Sequence, residues 1–542
     1  MNEKASSTSG STASGWLPLL LDATLDELRV GLDSGSFTSL DLVRAYLGRI
    51  NEVNWRLRAV TEINPDALSI AFELDYERRR AKEDSSSEGS KLGPLHGVPV
   101  LLKNNIATDD KTNTTAGSYA LLGARVPEDS TVAAKLREAG AIILGKANMS
   151  QWASCRMGEN VEGWSALGGQ TFGAYFPNQS PKATSSGSAV GTSIGLAWAS
   201  LGTDTGGAIT MPASQNNVVG FRPTVGLTSR HLVIPYSERL DTVGTLTRTV
   251  KDAAYLMVAI AGRDGKDSYT ARIPFGAIPN YVAACKATGL QGKRIGVARS
   301  FMSQSRLLTY DLPIGEFDEA LQLMRAAGAR ILDDVQLAGP AARVVTEQIR
   351  PRCPPVAMDF ATDLPKYLEK LKTNPNNIRS LRDLREFTQQ TPEEQYPKFS
   401  TELWDAVLAQ KANDGPPRPV QGAADDDGCL GDDGIAGAFE RLRLDALVAW
   451  GPEASMLSAR IGLPVVTVPL GKLPWFAPIV EGVNGLIDTA PNKPFGISFV
   501  GPAFGEETLF EIAYAFEQLT QVRKTVHPYM VPKTELADIL KP

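Results

Sequence analysis

The stretch Ala183–Gly226, ATSSGSAVGTSIGLAWASLGTDTGGAITMPASQNNVVGFRPTVG, sets two clusters of small residues on either side of an apolar segment. The first cluster, Ala183-Thr184-Ser185-Ser186-Gly187-Ser188, is dense in hydroxyls and too small to build a core. Ala189–Leu201 has helical character, and Gly202-Thr203-Asp204-Thr205-Gly206-Gly207-Ala208 follows it as a second small-residue loop. Two such loops at the ends of one helix can fold back into a single site. Gly206 and Gly207 permit positive φ and bring backbone N–H groups close to a ligand, the local requirement of an oxyanion hole. The stretch therefore marks a place for chemistry.

Working outward, Gly93–Lys103 reads GPLHGVPVLLK, Gly145–Trp152 reads GKANMSQW and Gly168–Thr171 reads GGQT. Downstream, Leu463–Gly471 reads LPVVTVPLG and Gly496–Gly501 reads GISFVG. In this order, from about Leu19 to Arg523, the segments resemble the amidase signature family, in particular its peptide amidases and fungal amidases. The family's two loops read GGSSGGSA or GSSSGSA, then GTDTGGS or GTETDGS. The resemblance implies an α/β fold, a large twisted mixed β-sheet covered by helices on both faces. It also implies hydrolysis of a carboxamide C–N bond through a Ser-Ser-Lys acyl-enzyme. On the same basis Lys103 is the proton carrier, and Thr184 stands where the family has the serine that bridges lysine and nucleophile. Ala208 stands at the nucleophile itself. The amides of Thr205, Gly206, Gly207 and Ala208 are the implied oxyanion hole, and Ser185 and Asp204 the implied substrate contacts, with a structural role the other reading of Asp204.

The departures matter as much as the match. A methyl group cannot attack a carbonyl, so with Ala208 the chain is not expected to form an acyl-enzyme by the family's route. Two readings stand: a serine replaced to trap a bound ligand, and a natural relative that has lost or rerouted the chemistry. The intact loop around Ala208 favours the first. The second covers a binding scaffold, or a noncovalent acid/base or cyclisation reaction. Asn104 stands where the motif usually has Asp, which alters the charge balance beside Lys103. Thr210 stands where the motif commonly has Arg, so an Arg to pair with Asp204 is expected to be absent. Thr184, Ser185 and Ser186 also suit a helix N-cap, and for Ser186 that is the better reading.

Hydrophobic content of 43% and charged content of 21% are ordinary for a globular chain of 542 residues. A net charge of −6 argues against a nucleic-acid surface. No apolar run approaches the roughly 20 residues of a membrane helix. The four cysteines, Cys155, Cys285, Cys353 and Cys429, have no metal or disulfide spacing and read as reduced thiols. The three histidines, His96, His231 and His527, lie in no context for a Ser-His-Asp triad, which turns attention to a lysine. Lys103 closes the apolar run Val98–Leu102, and burial there would lower its pKa. The expected partner is a small-molecule amide, with no cofactor and no metal. The acidic run Asp425-Asp426-Asp427 lacks the spaced ligands of a calcium loop and reads as solvated. A homodimer is compatible with everything above.

Residues 1–17 are Ser/Thr/Gly-rich and read as disordered, with no signal-peptide core, so a cytoplasmic location is expected. Amphipathic helices are predicted within Leu19–Leu57, Arg78–Gly93 as a charged loop, and Val132–Leu144 as helix then strand. The alternation continues with a strand at Arg294–Val297, and with helices at Lys251–Ala261 and within Phe317–Ile331. One domain is expected over 18–530, with 337–434 as a helical insertion capping the site and 531–542 as a C-terminal tail. The aromatic residues Trp152, Trp164, Phe172, Tyr175, Phe176 and Trp198 suit either an apolar acyl pocket or the core.

Overall fold

The computed structural model describes residues 17–83, 92–157, 161–297, 299, 314–333, 335–337, 355–414, 434–450, 454, 458 and 461–541. The N-terminal segment 1–16, the acidic run 425–427, Cys353 and Cys429 lie outside them. Eleven of the described strands form one mixed sheet. In chain order they are β1 (Val60–Ile63), β2 (Pro99–Lys103), β3 (Ile142–Ala147), β4 (Ala199–Asp204), β5 (Val219–Arg222) and β6 (Thr242–Thr247). They continue with β7 (Arg294–Val297), β8 (Arg330–Leu332), β9 (Ala446–Trp450), β10 (Val465–Lys472) and β11 (Pro494–Val500). Across the sheet the order is β1-β3-β2-β4-β6-β5-β10-β11-β9-β7-β8. β3, β2 and β4 are parallel towards one end, where β1 flanks β3 antiparallel at the edge, and β9, β7 and β8 are parallel at the other, with antiparallel pairs between.

Every residue of β2, β3, β4 and β6 is buried, which a sheet achieves only when both faces are covered. This is why Val98–Leu102 carries no polar alternation. The covering helices include α1 (Leu25–Ser34), α2 (Ser39–Leu57), α3 (Ala67–Glu83) and α4 (Thr131–Glu138). Thr24 and Thr38 start α1 and α2 through capping boxes with Glu27 and Asp41. α3 corrects the expected loop from Arg78: the helix runs to Glu83 because Arg78 turns inward, donating to the His96 carbonyl at 2.7 Å and pairing with Asp33.

The central stretch also differs from expectation. Its helix α5 (Ser186–Ser193) is short, and Ala199–Leu201 belongs to β4, not to a continued helix. Gly195, at φ +67, turns the chain between them, and a Cβ there would stand 2.4 Å from the Leu20 carbonyl oxygen. α6 (Thr210–Gln215) follows the second loop, and α7 (Val250–Ile260) and α8 (Ile314–Ala326) fall where the apolar rhythm placed them.

Within 337–434 the described helices are α9 (Pro355–Leu368), α10 (Leu381–Gln390) and α11 (Glu402–Asp414). They share a separate apolar cluster in which Phe360 and Trp404 pack on Trp152, 6.0 and 6.4 Å between ring centroids. A buried ion pair fastens this layer: Arg156 Nη1 lies 2.9 Å from Glu394, which also accepts from Ser118 Oγ and the Tyr119 amide. The C-terminus is no free tail. Leu536 is fully buried, and Glu535 pairs with the buried Arg49 of α2 at 2.8 Å.

Candidate active site

β2 delivers Lys103 to the centre of the molecule. Leu101 and Leu102 lie opposite Ser200 and Leu201 of β4, so the lysine leaves the sheet beside Thr203. Its Nζ lies 2.8 Å from Thr184 Oγ1, 2.9 Å from Ser185 Oγ and 3.1 Å from the Thr203 carbonyl. Burial pushes its pKa down to about 7, against the opposing pull of the Asp204 and Asp241 charges. Ser185 donates its own proton to the Thr203 carbonyl at 3.0 Å. Thr184 and Ala208 are 7% and 9% exposed, whereas Lys103, Ser185 and Asp204 are wholly enclosed behind them.

The second loop is wrapped around one carboxylate. Asp204, the last residue of β4, accepts the Gly207 amide at 2.7 Å and the Ile209 amide at 2.7 Å. Curling the backbone this tightly requires φ +103 at Gly207, a conformation open to glycine. Arg222 Nε, from the end of β5, reaches Asp204 Oδ1 at 3.1 Å and donates its other nitrogens to the Leu463 and Leu240 carbonyls. Among the described residues no acceptor receives the amides of Thr205, Gly206 and Ala208. Thr205 Oγ1 donates to Asp241 at 2.6 Å, and Asp241 also accepts the Tyr236 and Ser237 amides. Burial pushes the Asp241 carboxyl up to about 6.

The two loops are stitched together. Ser185 N donates to the Ala208 carbonyl at 3.1 Å, and Ser150 N reaches the Thr184 carbonyl at 3.3 Å. Gly187 allows the first loop to pass within contact of the chain, since a Cβ there would lie 2.2 Å from the Ala59 carbonyl oxygen. Asn148 joins the segments GKANMSQW and GGQT by donating to Thr171 Oγ1 at 2.9 Å. The stretch Ala183–Gly226 therefore meets GPLHGVPVLLK, GKANMSQW, GGQT and LPVVTVPLG at one place.

Residues 41–412 match the family model described as Amidase. The chain belongs to the amidase signature family. The "Putative amidase" of Arthroderma benhamiae is 44% identical, over 97% of this chain and 90% of that protein. A "Probable amidase" of Arabidopsis thaliana is 38% identical, over 93% and 91%. The crystal structure of native peptide amidase from Stenotrophomonas maltophilia superposes with a TM-score of 0.79 at 36% identity, covering 94% of this chain and 99% of that one. Membership makes the chain, by descent, one of the hydrolases of amide C–N bonds.

Within this amidase fold several individual expectations change. Ser185 and Asp204 are fully buried, Ser185 Oγ between Lys103 and the Thr203 carbonyl, and the Asp204 carboxylate against the Gly207 and Ile209 amides. The Gly207 amide is spent on Asp204, leaving Thr205, Gly206 and Ala208 as the loop's unengaged donors. The cation expected to be missing beside Asp204 is Arg222, supplied by the next strand of the chain in place of the loop. Ser186 does not cap α5: it is the first helical residue, and its hydroxyl is buried without a partner. Asn104 takes over the turn after Lys103 as a neutral acceptor, receiving Thr115 N at 3.0 Å and Thr115 Oγ1 at 2.6 Å. His96 and His231 pair with Glu77 and Glu128. Trp152, Trp164, Tyr175 and Trp198 are buried core, and Phe172 packs partly buried against it.

Two residues of this arrangement were missed by sequence reading: Arg222 and Asp241. Arg222 carried a usable signal, a lone cation closing the apolar run Val218–Phe221, the same pattern that marks Lys103. Asp241 lies in an ordinary polar loop with no such mark.

Proposed function

We propose that this fold hydrolyses a carboxamide through an acyl-enzyme on a serine at position 208, and that Ala208 holds the present sequence at the binding step. The observation that carries the proposal is the proton count around Lys103. A neutral amine has two N–H groups and one lone pair. Ser185 Oγ and the Thr203 carbonyl take the two N–H groups, because Ser185 has already given its own proton to that carbonyl. The lone pair is left for Thr184, whose hydroxyl proton has no other acceptor among the described residues. A pKa near 7 keeps a large share of Lys103 in this form at neutral pH.

In the proposed reaction a serine hydroxyl at position 208 attacks the amide carbon as its proton passes to Thr184 Oγ1 and the Thr184 proton passes to Lys103 Nζ. The carbonyl oxygen, now negative, lies against the unengaged amides of the Thr205–Ala208 loop. The C–N bond then breaks, and the relay returns the proton from Lys103 to the leaving amine. Water repeats the sequence in the second half, releasing the acid and restoring the serine. Asp204 and Arg222 take no part in the proton transfer; they hold the loop.

With alanine at 208 no oxygen is present to begin this sequence. Removing the nucleophile from a serine hydrolase costs roughly 10⁶ in turnover. The test is hydrolysis of aryl, fatty and peptide amides by Ala208→Ser beside the unmodified chain, followed by ammonia release. Activity confined to the serine form is the expected result. A folded Ala208→Ser protein inert towards every amide would overturn the proposal and favour a binding scaffold or noncovalent chemistry.

A further inference from the structure

Between the end of β4, the segment 230–243 and α9 lies a cavity of about 140 Å³. Part of its wall is Thr203 and Thr205, which carry the carbonyl that meets Lys103 and one of the unengaged amides. Another part is Asn105, two residues beyond Lys103 and 4% exposed. Its Nδ2 faces Thr203 Oγ1 at 3.1 Å and the Ile234 carbonyl at 3.4 Å. A carbonyl can only accept, so the amide nitrogen belongs on that side and the amide oxygen on the other. That oxygen, Oδ1, is buried and receives no hydrogen bond from any described residue.

The same wall holds a second unmet atom of the same kind. His231 Nε2 meets the Glu128 carboxylate at 3.0 Å; in a neutral ring this contact places the proton on Nε2 and leaves Nδ1 as an acceptor. Nδ1 is likewise buried without a partner. Whatever satisfies this wall therefore brings N–H groups. A cationic amine has little to gain here, because the carboxylates of the wall are already engaged: Asp241 accepts three hydrogen bonds, Asp267 pairs with Arg230, and Glu238 and Asp363 pair with Lys366.

We propose that this cavity receives the nitrogen side of the scissile amide, with Asn105 Oδ1 accepting an N–H of a –CONH₂ or –CONHR group, so that Asn105 selects amides bearing an N–H over esters and tertiary amides. The proposal rests on the amide-hydrolase reading above. An ester or a dimethylamide seated in the same place excludes water and leaves Oδ1 unmet. A buried acceptor deprived of its donor corresponds to roughly tenfold to a hundredfold in affinity. Asn105 is in this sense a specificity residue. It takes no proton and makes no bond to carbon.

The test is calorimetric titration of the unmodified chain with matched primary amides, methyl esters and N,N-dimethylamides of phenylacetic acid, octanoic acid and N-acetylphenylalanine. For at least one acyl group the primary amide is expected to bind about tenfold tighter or more than its two analogues. Asn105→Asp, which keeps an acceptor, should retain that preference, and Asn105→Leu, checked for folding by circular dichroism, should abolish it. Should the leucine variant not fold, the ratio in the unmodified chain and in Asn105→Asp decides. Equal affinities, no binding by any compound, or a preference that survives Asn105→Leu overturns the assignment. Failures of the two proposals separate cleanly. An Ala208→Ser enzyme that cleaves esters and dimethylamides as readily as primary amides removes the role of Asn105 alone. An inert Ala208→Ser protein that still shows the Asn105-dependent preference removes hydrolysis and leaves the pocket.

Discussion

Two lysines lie side by side in the sheet and do different things. Lys103 ends β2 and Lys146 lies near the end of the neighbouring β3, with Leu102 directly opposite Lys146. Both are fully enclosed, and burial pushes one down to about 7 and the other to about 8. The charges of Asp110, Asp129 and Glu62 oppose burial at Lys146, as those of Asp204 and Asp241 do at Lys103. It donates to the Ile106 carbonyl at 2.6 Å and Thr114 Oγ1 at 3.2 Å, tying together two parts of the segment that follows β2. Lys103 instead meets a hydroxyl beside a loop of unengaged amides. A depressed lysine pKa therefore reports burial; what lies beyond the lysine's partner decides whether the amine has chemistry to do.

The contrast can be broken by treating the two lysines alike. In an Ala208→Ser background, Lys103→Met is expected to lower kcat/KM by roughly 10²–10⁴, the usual contribution of a positioned base. Lys146→Met should lower Tm, since it strands the Ile106 carbonyl, and leave kcat/KM where it was. Equal losses of activity from both variants would mean that burial geometry, and not the Thr184 relay, is what the site needs. Arg222→Met asks the next question, whether the loop depends on the Asp204 pair. It leaves the Asp204 carboxylate buried and unpaired, an arrangement that costs about 3–5 kcal/mol of stability. If the loop relaxes and an oxyanion donor is lost, kcat should also fall by roughly 10²–10³. Arg222→Met with full activity and a lowered Tm would reduce Arg222 to packing.

The same pair of lysines shows what was legible beforehand. Lys103 stood out because a cation closed an apolar strand within a recognisable motif, and β2, β3 and β7 fall where apolar runs at Val98–Leu102, near Leu144 and at Arg294–Val297 marked strands alternating with helices. Lys146, inside GKANMSQW, looked like part of the same motif, and only its partners distinguish it. Side-chain direction was the hidden quantity. Asp204 read either as a substrate contact or as structural, and the sequence could not show that its carboxylate faces Gly207, Ile209 and Arg222. Asn105 showed no sign of its orphaned oxygen, because an amide's free side depends on Thr203 and Ile234, 98 and 129 residues away. The helix ending at Ser193 was overread to Leu201 because a buried helix and a buried strand share the same apolar composition.

The finest probe of the comparison is pH. On the proposed mechanism only neutral Lys103 accepts the Thr184 proton, so kcat/KM of Ala208→Ser should rise with pH through about 7. Lys146, at about 8, should leave no limb of its own. Asp241 is a negative charge that favours protonated Lys103, and its own carboxyl titrates near 6, so it is ionised where the limb lies. Asp241→Asn keeps an oxygen for the Tyr236 and Ser237 amides and offers Thr205 Oγ1 an N–H in place of an acceptor, so the fold has a way to tolerate it. Without that charge the ammonium loses its proton more readily. The limb should then move to lower pH, and activity at pH 6, normalised to each enzyme's own plateau, should increase. A limb that stays put, or moves upward, would show that the titrating group is not Lys103, and the relay would have to be sought elsewhere in the loop.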